Sequence, residues 1–143
     1  MNKPIRVLII DDDPATSEML KLVISQLTSD IFIANSGEEC LSLTKQHTPD
    51  ILILDLVMPD MNGAEICKEI RKFSSVPILI LSAIDNPKLI AETLNAGADN
   101  FLSKPVPSAM LFAHIQKLVK RFRTERPLCS NPSTSSDYIS HNY

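Results

Sequence analysis

Two carboxylates stand side by side at Asp11 and Asp12, directly after the aliphatic run "VLII", and a third, Asp55, directly follows the run "ILIL" at 51–54. Ser82 closes a further aliphatic run, "PILIL" at 77–81, and Lys104 follows "NFLS" at 100–103. A strand end has no structural need for an ionised group. Three carboxylates brought together repel one another, and that repulsion raises their pKa values unless a cation sits among them. Hard oxygen ligands around an open face suit Mg2+, which keeps several waters and recruits phosphate oxygens. A nucleophilic carboxylate, a metal site, a hydroxyl and an ammonium form a set suited to phosphoryl transfer onto Asp55.

For these residues to meet, the runs that carry them must be neighbouring strands. The runs at 6–10, 51–54 and 77–81 are apolar on successive residues, which describes strands covered on both faces, as in a parallel sheet. "IFIA" at 31–34 and the weaker "NFL" at 100–102 complete five. Between them lie segments of helical spacing. Asp13 caps a helix beginning at Pro14, with Met19, Leu20, Val23, Ile24 and Leu27 inward. Ser36 and Glu39 make a capping box for a second helix. Ile66, Ile70 and Phe73 mark a third, and Ile90 and Leu94 a fourth that ends at Gly97. Leu111, Ile115, Leu118 and Phe122 mark a fifth. Five β–α units predict an α/β, doubly wound, five-stranded parallel sheet of order 2-1-3-4-5, a flavodoxin-like three-layer sandwich. Its crevice falls at the carboxyl ends of strands 1 and 3, the strands that end in Asp11 and Asp55.

The 143 residues suit one domain, and 44% apolar with 22% charged residues describes an ordinary globular chain. A net charge of -3 provides no overall attraction to nucleic acid or to an anionic membrane. Three cysteines without CxxC spacing read as reduced thiols rather than metal ligands. No apolar run nears the ~18 residues of a membrane span, and nothing resembles a signal-peptide core, so a cytoplasmic location is expected. Beyond Arg126 the chain turns to Ser, Pro and Asn without periodicity. The expected organisation is therefore a domain over 1–124 and a flexible linker or tail over 125–143.

The segments "VLIIDDDP", "LDLVMPDMNG", "LSA" and "GADNFLSKP" resemble, in order and spacing, the receiver domain of two-component response regulators, the CheY-like fold. The resemblance runs from residue 4 to about residue 123. It implies that Asp55 is the phosphoacceptor. Composition alone leaves open which two of Asp11, Asp12 and Asp13 hold metal; the resemblance selects Asp11 and Asp12, with Asp55 and the Val57 carbonyl as further Mg2+ ligands. It also implies that Ser82 and Lys104 bind the phosphoryl group, that Phe101 is the switch aromatic, and that Pro105 follows a cis peptide. Asp60 and Asn62 read as turn formers before Gly63, and His47, His114 and His141 as surface residues.

The function so implied is a signalling switch rather than an enzyme, although it performs its own phosphoryl transfer and slow hydrolysis. A histidine kinase or phosphotransfer protein donates, and the surface of helix 4, strand 5 and helix 5 carries the output. That output is expected to control a DNA-binding effector of the OmpR/PhoB type, with a stand-alone receiver as the alternative. DNA contact would come only through such an effector, and no membrane contact is expected. Where that subfamily places pairing charges this chain has Ile90, Asn100, Met110 and His114, so any homodimer through this face should be weak and apolar. A Mg2+-dependent phosphohydrolase working through an aspartyl phosphate is the enzymatic rival. Val57, where such enzymes carry a second acid/base carboxylate, counts against it.

Overall fold

The computed structural model describes residues 3–56, 62–83 and 86–128, with side chains to Thr124. Five strands alternate with five helices: β1 (Val7–Ile10), α1 (Pro14–Ile24), β2 (Ile31–Ala34), α2 (Gly37–His47), β3 (Ile51–Leu54), α3 (Gly63–Arg71), β4 (Ile78–Ser82), α4 (Pro87–Asn95), β5 (Asn100–Ser103) and α5 (Ser108–Leu128). The strands form one parallel sheet in the order β2-β1-β3-β4-β5.

Side-chain alternation along each strand divides the core in two. Leu8, Ile10, Leu52, Leu54, Ile78 and Ile80 face one side, where Cys40 of α2, Ile66, Cys67 and Ile70 of α3, and Leu89 and Ile90 of α4 cover them. Val7, Ile9, Ile51, Ile53, Leu79 and Leu81 face the other, covered by Ile24 of α1 and by Leu111, Ile115 and Leu118 of α5. Each fully buried aliphatic side chain contributes about 1.5–3 kcal/mol, which is why the inner strands β1, β3 and β4 are aliphatic on both faces.

The helices start where side chains satisfy their free N–H groups. Asp13 accepts from the Ala15 N–H and Ser36 from the Glu39 N–H. Asn62 caps α3 by accepting from the Glu65 N–H, and Asn86 caps α4. At the amino-terminal pole of the sheet Asp50 accepts from the Arg6 N–H at 2.9 Å and pairs with Arg123 of α5 at 2.8 Å. The same guanidinium donates to the Lys3 and Pro4 carbonyls. Arg71 ties the end of α3 to the turn before β5, donating to the carbonyls of Gly97, Ser74 and Val76 and to Asp99.

Several side chains stand elsewhere than helical spacing predicts. Met19 is 71% exposed and Ser17 is buried in its place, because Met19 lies about 100° around α1 from the inward Leu20. Leu94 and Phe73 are exposed, while Thr93, whose hydroxyl bonds the Leu89 carbonyl, faces in. His47 and His114 are half-buried rather than on the surface. His47 stacks on Phe32 with ring centroids 4.1 Å apart. His141 lies outside the described residues. The last helix continues to Leu128, four residues past the expected domain boundary, since no glycine or proline interrupts Ser108 to Arg126. Residues 129–143, the remainder of the expected tail, lie outside the described residues.

Candidate functional site

Asp11, Asp55 and Lys104 sit one position past their strands and Ser82 at the last position of β4, and the hydrogen-bond ladder extends to hold them. The Asp11 N–H donates to the Ala34 carbonyl at 3.0 Å, the Asp55 N–H to the Ile10 carbonyl at 3.1 Å, and the Lys104 N–H to the Ser82 carbonyl at 2.9 Å. Ile10 pairs with Leu54 and Ser82 with Ser103, so this register brings Asp11 beside Asp55 and Lys104 beside Ser82. The backbones of Asp11, Asp55 and Lys104 are thus fixed before any side-chain contact is made.

Within this frame the Lys104 ammonium stands 3.9 Å from Asp55 Oδ2, a charge pairing rather than a short hydrogen bond. Asp11 is 4% exposed, and its Oδ1 accepts from the Asp13 N–H at 3.0 Å. Burial pushes the Asp11 carboxyl up from the ordinary 3.8; the Asp13 N–H and Lys104 oppose the rise, while the charges of Asp55 and Asp12 reinforce it. Asp12 itself is exposed. Asp13 is the α1 cap, held below 3.8 by the Thr16 hydroxyl and the Ala15 N–H, so it is occupied by the helix.

The three carboxylates therefore do not close into a cage. Among the described residues no three His, Cys, Asp or Glu side chains converge tightly enough to hold an ion, and Asp12 lies in solvent. The donor set nevertheless fits Mg2+. The oxygens are hard, Asp11 carries an unfavourable buried charge that a cation would relieve, and an open octahedral site needs only a few protein ligands. Val57 and Asp60 lie outside the described residues.

Ser82 is buried at the end of β4. Phe101, in register with Ile80, is half-buried against the α2–α3–α4 side of the core. The Lys104–Pro105 peptide is cis. Asn62 caps α3 by accepting from the Glu65 N–H at 2.9 Å, so its side chain serves the helix. On the α4–β5–α5 face Met110 and Asn100 are exposed, and Ile90 and His114 are half-buried.

One residue at the site was not singled out by spacing. Asn35, between β2 and α2, donates from its side chain to the Asp11 carbonyl at 2.7 Å. Glu39 accepts from the Asn35 N–H at 2.7 Å, one residue before the partner that a capping box predicts. An asparagine ahead of a Ser-Gly helix start carries only a loop signal, so sequence spacing could not have marked it.

Fold and site together define a flavodoxin-like domain whose polar crevice lies at the topological switch point of its sheet. The response regulator receiver domain family matches residues 7–116, and the chain belongs to that family. It is 36% identical over 138 residues to the probable transcriptional regulator ycf27 of Guillardia theta, covering 96% of this chain and 54% of that protein. It is 33% identical over 120 residues to the DNA-binding response regulator MtrA of Mycolicibacterium smegmatis, covering 84% and 53%. The chain thus spans about half the length of the curated relatives it matches. Among solved structures it resembles a Francisella response regulator receiver domain at 32% identity with a TM-score of 0.74, covering 83% of this chain and 98% of that one.

Proposed function

We propose that this chain is the phosphoacceptor module of a two-component transcriptional regulator and takes a phosphoryl group onto Asp55. The observation that carries the reading is the Asp55 carboxylate facing Lys104 at 3.9 Å beside the buried Asp11, all held on ladder extensions at the carboxyl end of the sheet. In the transfer an Asp55 oxygen attacks phosphorus, and the bond to the donor breaks with its electron pair leaving on the donor. With a histidine kinase or phosphotransfer protein the leaving group is an imidazole. Lys104 neutralises charge on the phosphoryl oxygens, and the Ser82 hydroxyl donates to one of them. Asp11, Asp12 and Asp55, with the Val57 carbonyl, would hold Mg2+. Such an ion would supply charge neutralisation for the phosphoryl oxygens. The domain is a switch, and its own catalytic reach ends with acquiring and slowly losing the phosphoryl group.

The output is the α4–β5–α5 face, toward which Phe101 and Lys104 lie on β5 and just beyond it. Exposed Met110 and half-buried Ile90 favour a weak, apolar pairing of two copies there. DNA contact belongs to an effector domain outside these residues, as the half-length match to DNA-binding relatives suggests. The setting is cytoplasmic; among the described residues no helix is long and apolar enough to cross a membrane.

The test is incubation with a small phosphodonor and Mg2+, followed by mapping of the acid-labile adduct. A single adduct at Asp55 is expected, absent in Asp55→Asn and lost in excess chelator. An adduct at another residue, or one indifferent to chelator, overturns the assignment.

A further inference from the structure

Asp11 is held at three points. Its N–H bonds the Ala34 carbonyl, its carboxylate accepts from the Asp13 N–H, and its carbonyl accepts from the Asn35 side chain at 2.7 Å. The first two belong to the sheet and to the turn into α1. The third comes from a different element, and it acts on the peptide that joins Asp11 to Asp12. That peptide is planar, so fixing its carbonyl also fixes the direction in which the chain departs toward Asp12. Asn35 is in turn held: Glu39 Oε1 accepts its N–H at 2.7 Å, while the Glu39 N–H is bound by the Ser36 hydroxyl at 3.1 Å. The start of α2 therefore reaches Asp11 through the Asn35 side chain, while Glu39 holds the Asn35 backbone.

We infer that Asn35 is a positioning residue for the metal-binding pair: braced by Glu39, it sets the Asp11–Asp12 peptide so that both carboxylates face one cation. This rests on the Mg2+ reading above. The geometry argues for a directed role because the capping carboxylate is spent on Asn35 rather than on the cap residue itself. Asp12 is exposed, so the brace acts on it through the peptide that it shares with Asp11.

The experiment is calorimetric titration of the whole chain with MgCl2 alone, using Asn35→Ala, Glu39→Ala, Glu39→Gln and Asp11→Asn. Circular dichroism and melting temperature serve as checks on folding. Outer-shell partners of metal ligands typically alter affinity 10–100-fold; acting on a backbone carbonyl, Asn35→Ala is expected to weaken Mg2+ binding about 10-fold. Glu39→Ala should weaken it less, and Glu39→Gln should stay near the parent, because the amide oxygen still accepts the Asn35 N–H. The Gln variant also removes the charge, so it separates the hydrogen bond from simple electrostatics. Phosphorylation by a small donor should need about 10-fold more Mg2+ in Asn35→Ala and reach the parent rate once the ion saturates. Parent-like affinity in Asn35→Ala alongside weakened binding in Asp11→Asn overturns the role of Asn35 and leaves the metal site standing. Binding indifferent to Asp11→Asn overturns the metal reading and this inference together.

Discussion

Replacing Gly97 by alanine should damage the fold more than the same change at Gly63, where an added Cβ would meet Leu56 Cδ2 at 3.3 Å. Gly97 has φ +128°, where side-chain-bearing residues are strained by about 1–3 kcal/mol. Its added Cβ would also lie 2.7 Å from Arg71 Cγ and 3.1 Å from Nε, so the arginine must move. Arg71 is poorly placed to do so. Its guanidinium donates to the Gly97 carbonyl at 2.8 and 3.2 Å, to Val76 at 2.7 Å, to Ser74 at 3.2 Å and to Asp99 at 3.0 Å. Losing one such charge-assisted bond costs about 1.5–3 kcal/mol, for a total of roughly 3–5 kcal/mol. In a domain of this size that lowers the melting temperature by about 10–20 °C. Urea unfolding followed by circular dichroism measures it, and a double-mutant cycle with Arg71→Ala separates the two causes. With the arginine truncated the clash disappears, so Gly97→Ala should cost less there by more than about 0.5 kcal/mol. A loss below about 1 kcal/mol in the parent, or strict additivity in the cycle, refutes the reasoning.

Asp11→Asn should stabilise the metal-free protein at neutral pH. The folded state raises the Asp11 pKa above 3.8, so the stability this group contributes is fully present below 3.8 and is lost as pH rises through its folded pKa. The melting-temperature gain of the Asn variant should therefore shrink to nothing near pH 3, and a lower melting temperature at pH 7 contradicts it. Asp50→Ala leaves Arg123 and the Arg6 N–H without their shared buried acceptor; an unfolding cost of about 3 kcal/mol is expected, and a value within 0.5 kcal/mol of the parent excludes it. Burial pushes the Cys40 thiol up to about 12 and the Cys67 thiol up to about 11. Both should resist iodoacetamide at pH 8 until the protein unfolds, and native-state alkylation of either shows that the α2–α3 core opens.

What was legible in the sequence followed from periodicity and from strand ends. Aliphatic runs without alternation mark β1, β3 and β4 as doubly covered, and a polar residue just after such a run lies at the rim of the sheet. That logic alone brings Asp11, Asp55, Ser82 and Lys104 to one rim of the sheet. Met19 and Leu94 show where it weakens, since an aliphatic side chain on a two-layer helix can fall outside a narrow contact stripe while Ser17 or Thr93 takes the inner place. Asn35, Arg71 and Asp50 were not legible. Each acts on backbone groups of another element, Arg71 across 26 residues to Gly97 and Asp50 across 73 from Arg123, and such bonds leave no periodic trace.

The two ends of the sheet are built on opposite electrostatic terms. At the amino-terminal pole the buried carboxylate, Asp50, is met by a guanidinium at 2.8 Å and a backbone N–H at 2.9 Å, so its charge is compensated within the chain. At the carboxyl-terminal pole the buried carboxylate, Asp11, is opposed by Asp55 and Asp12, and the ammonium that Asp55 faces stands 3.9 Å away. A chain able to place Arg123 so closely at one pole could have neutralised the other in the same way. A guanidinium packed as closely against Asp11 would leave less room there for a cation or for phosphoryl oxygens, the partners proposed for this crevice. On the proposed reading the carboxylate cluster at the crevice is what a phosphoryl acceptor would use, and the closed pole together with the aliphatic strands supplies the stability that offsets its repulsion.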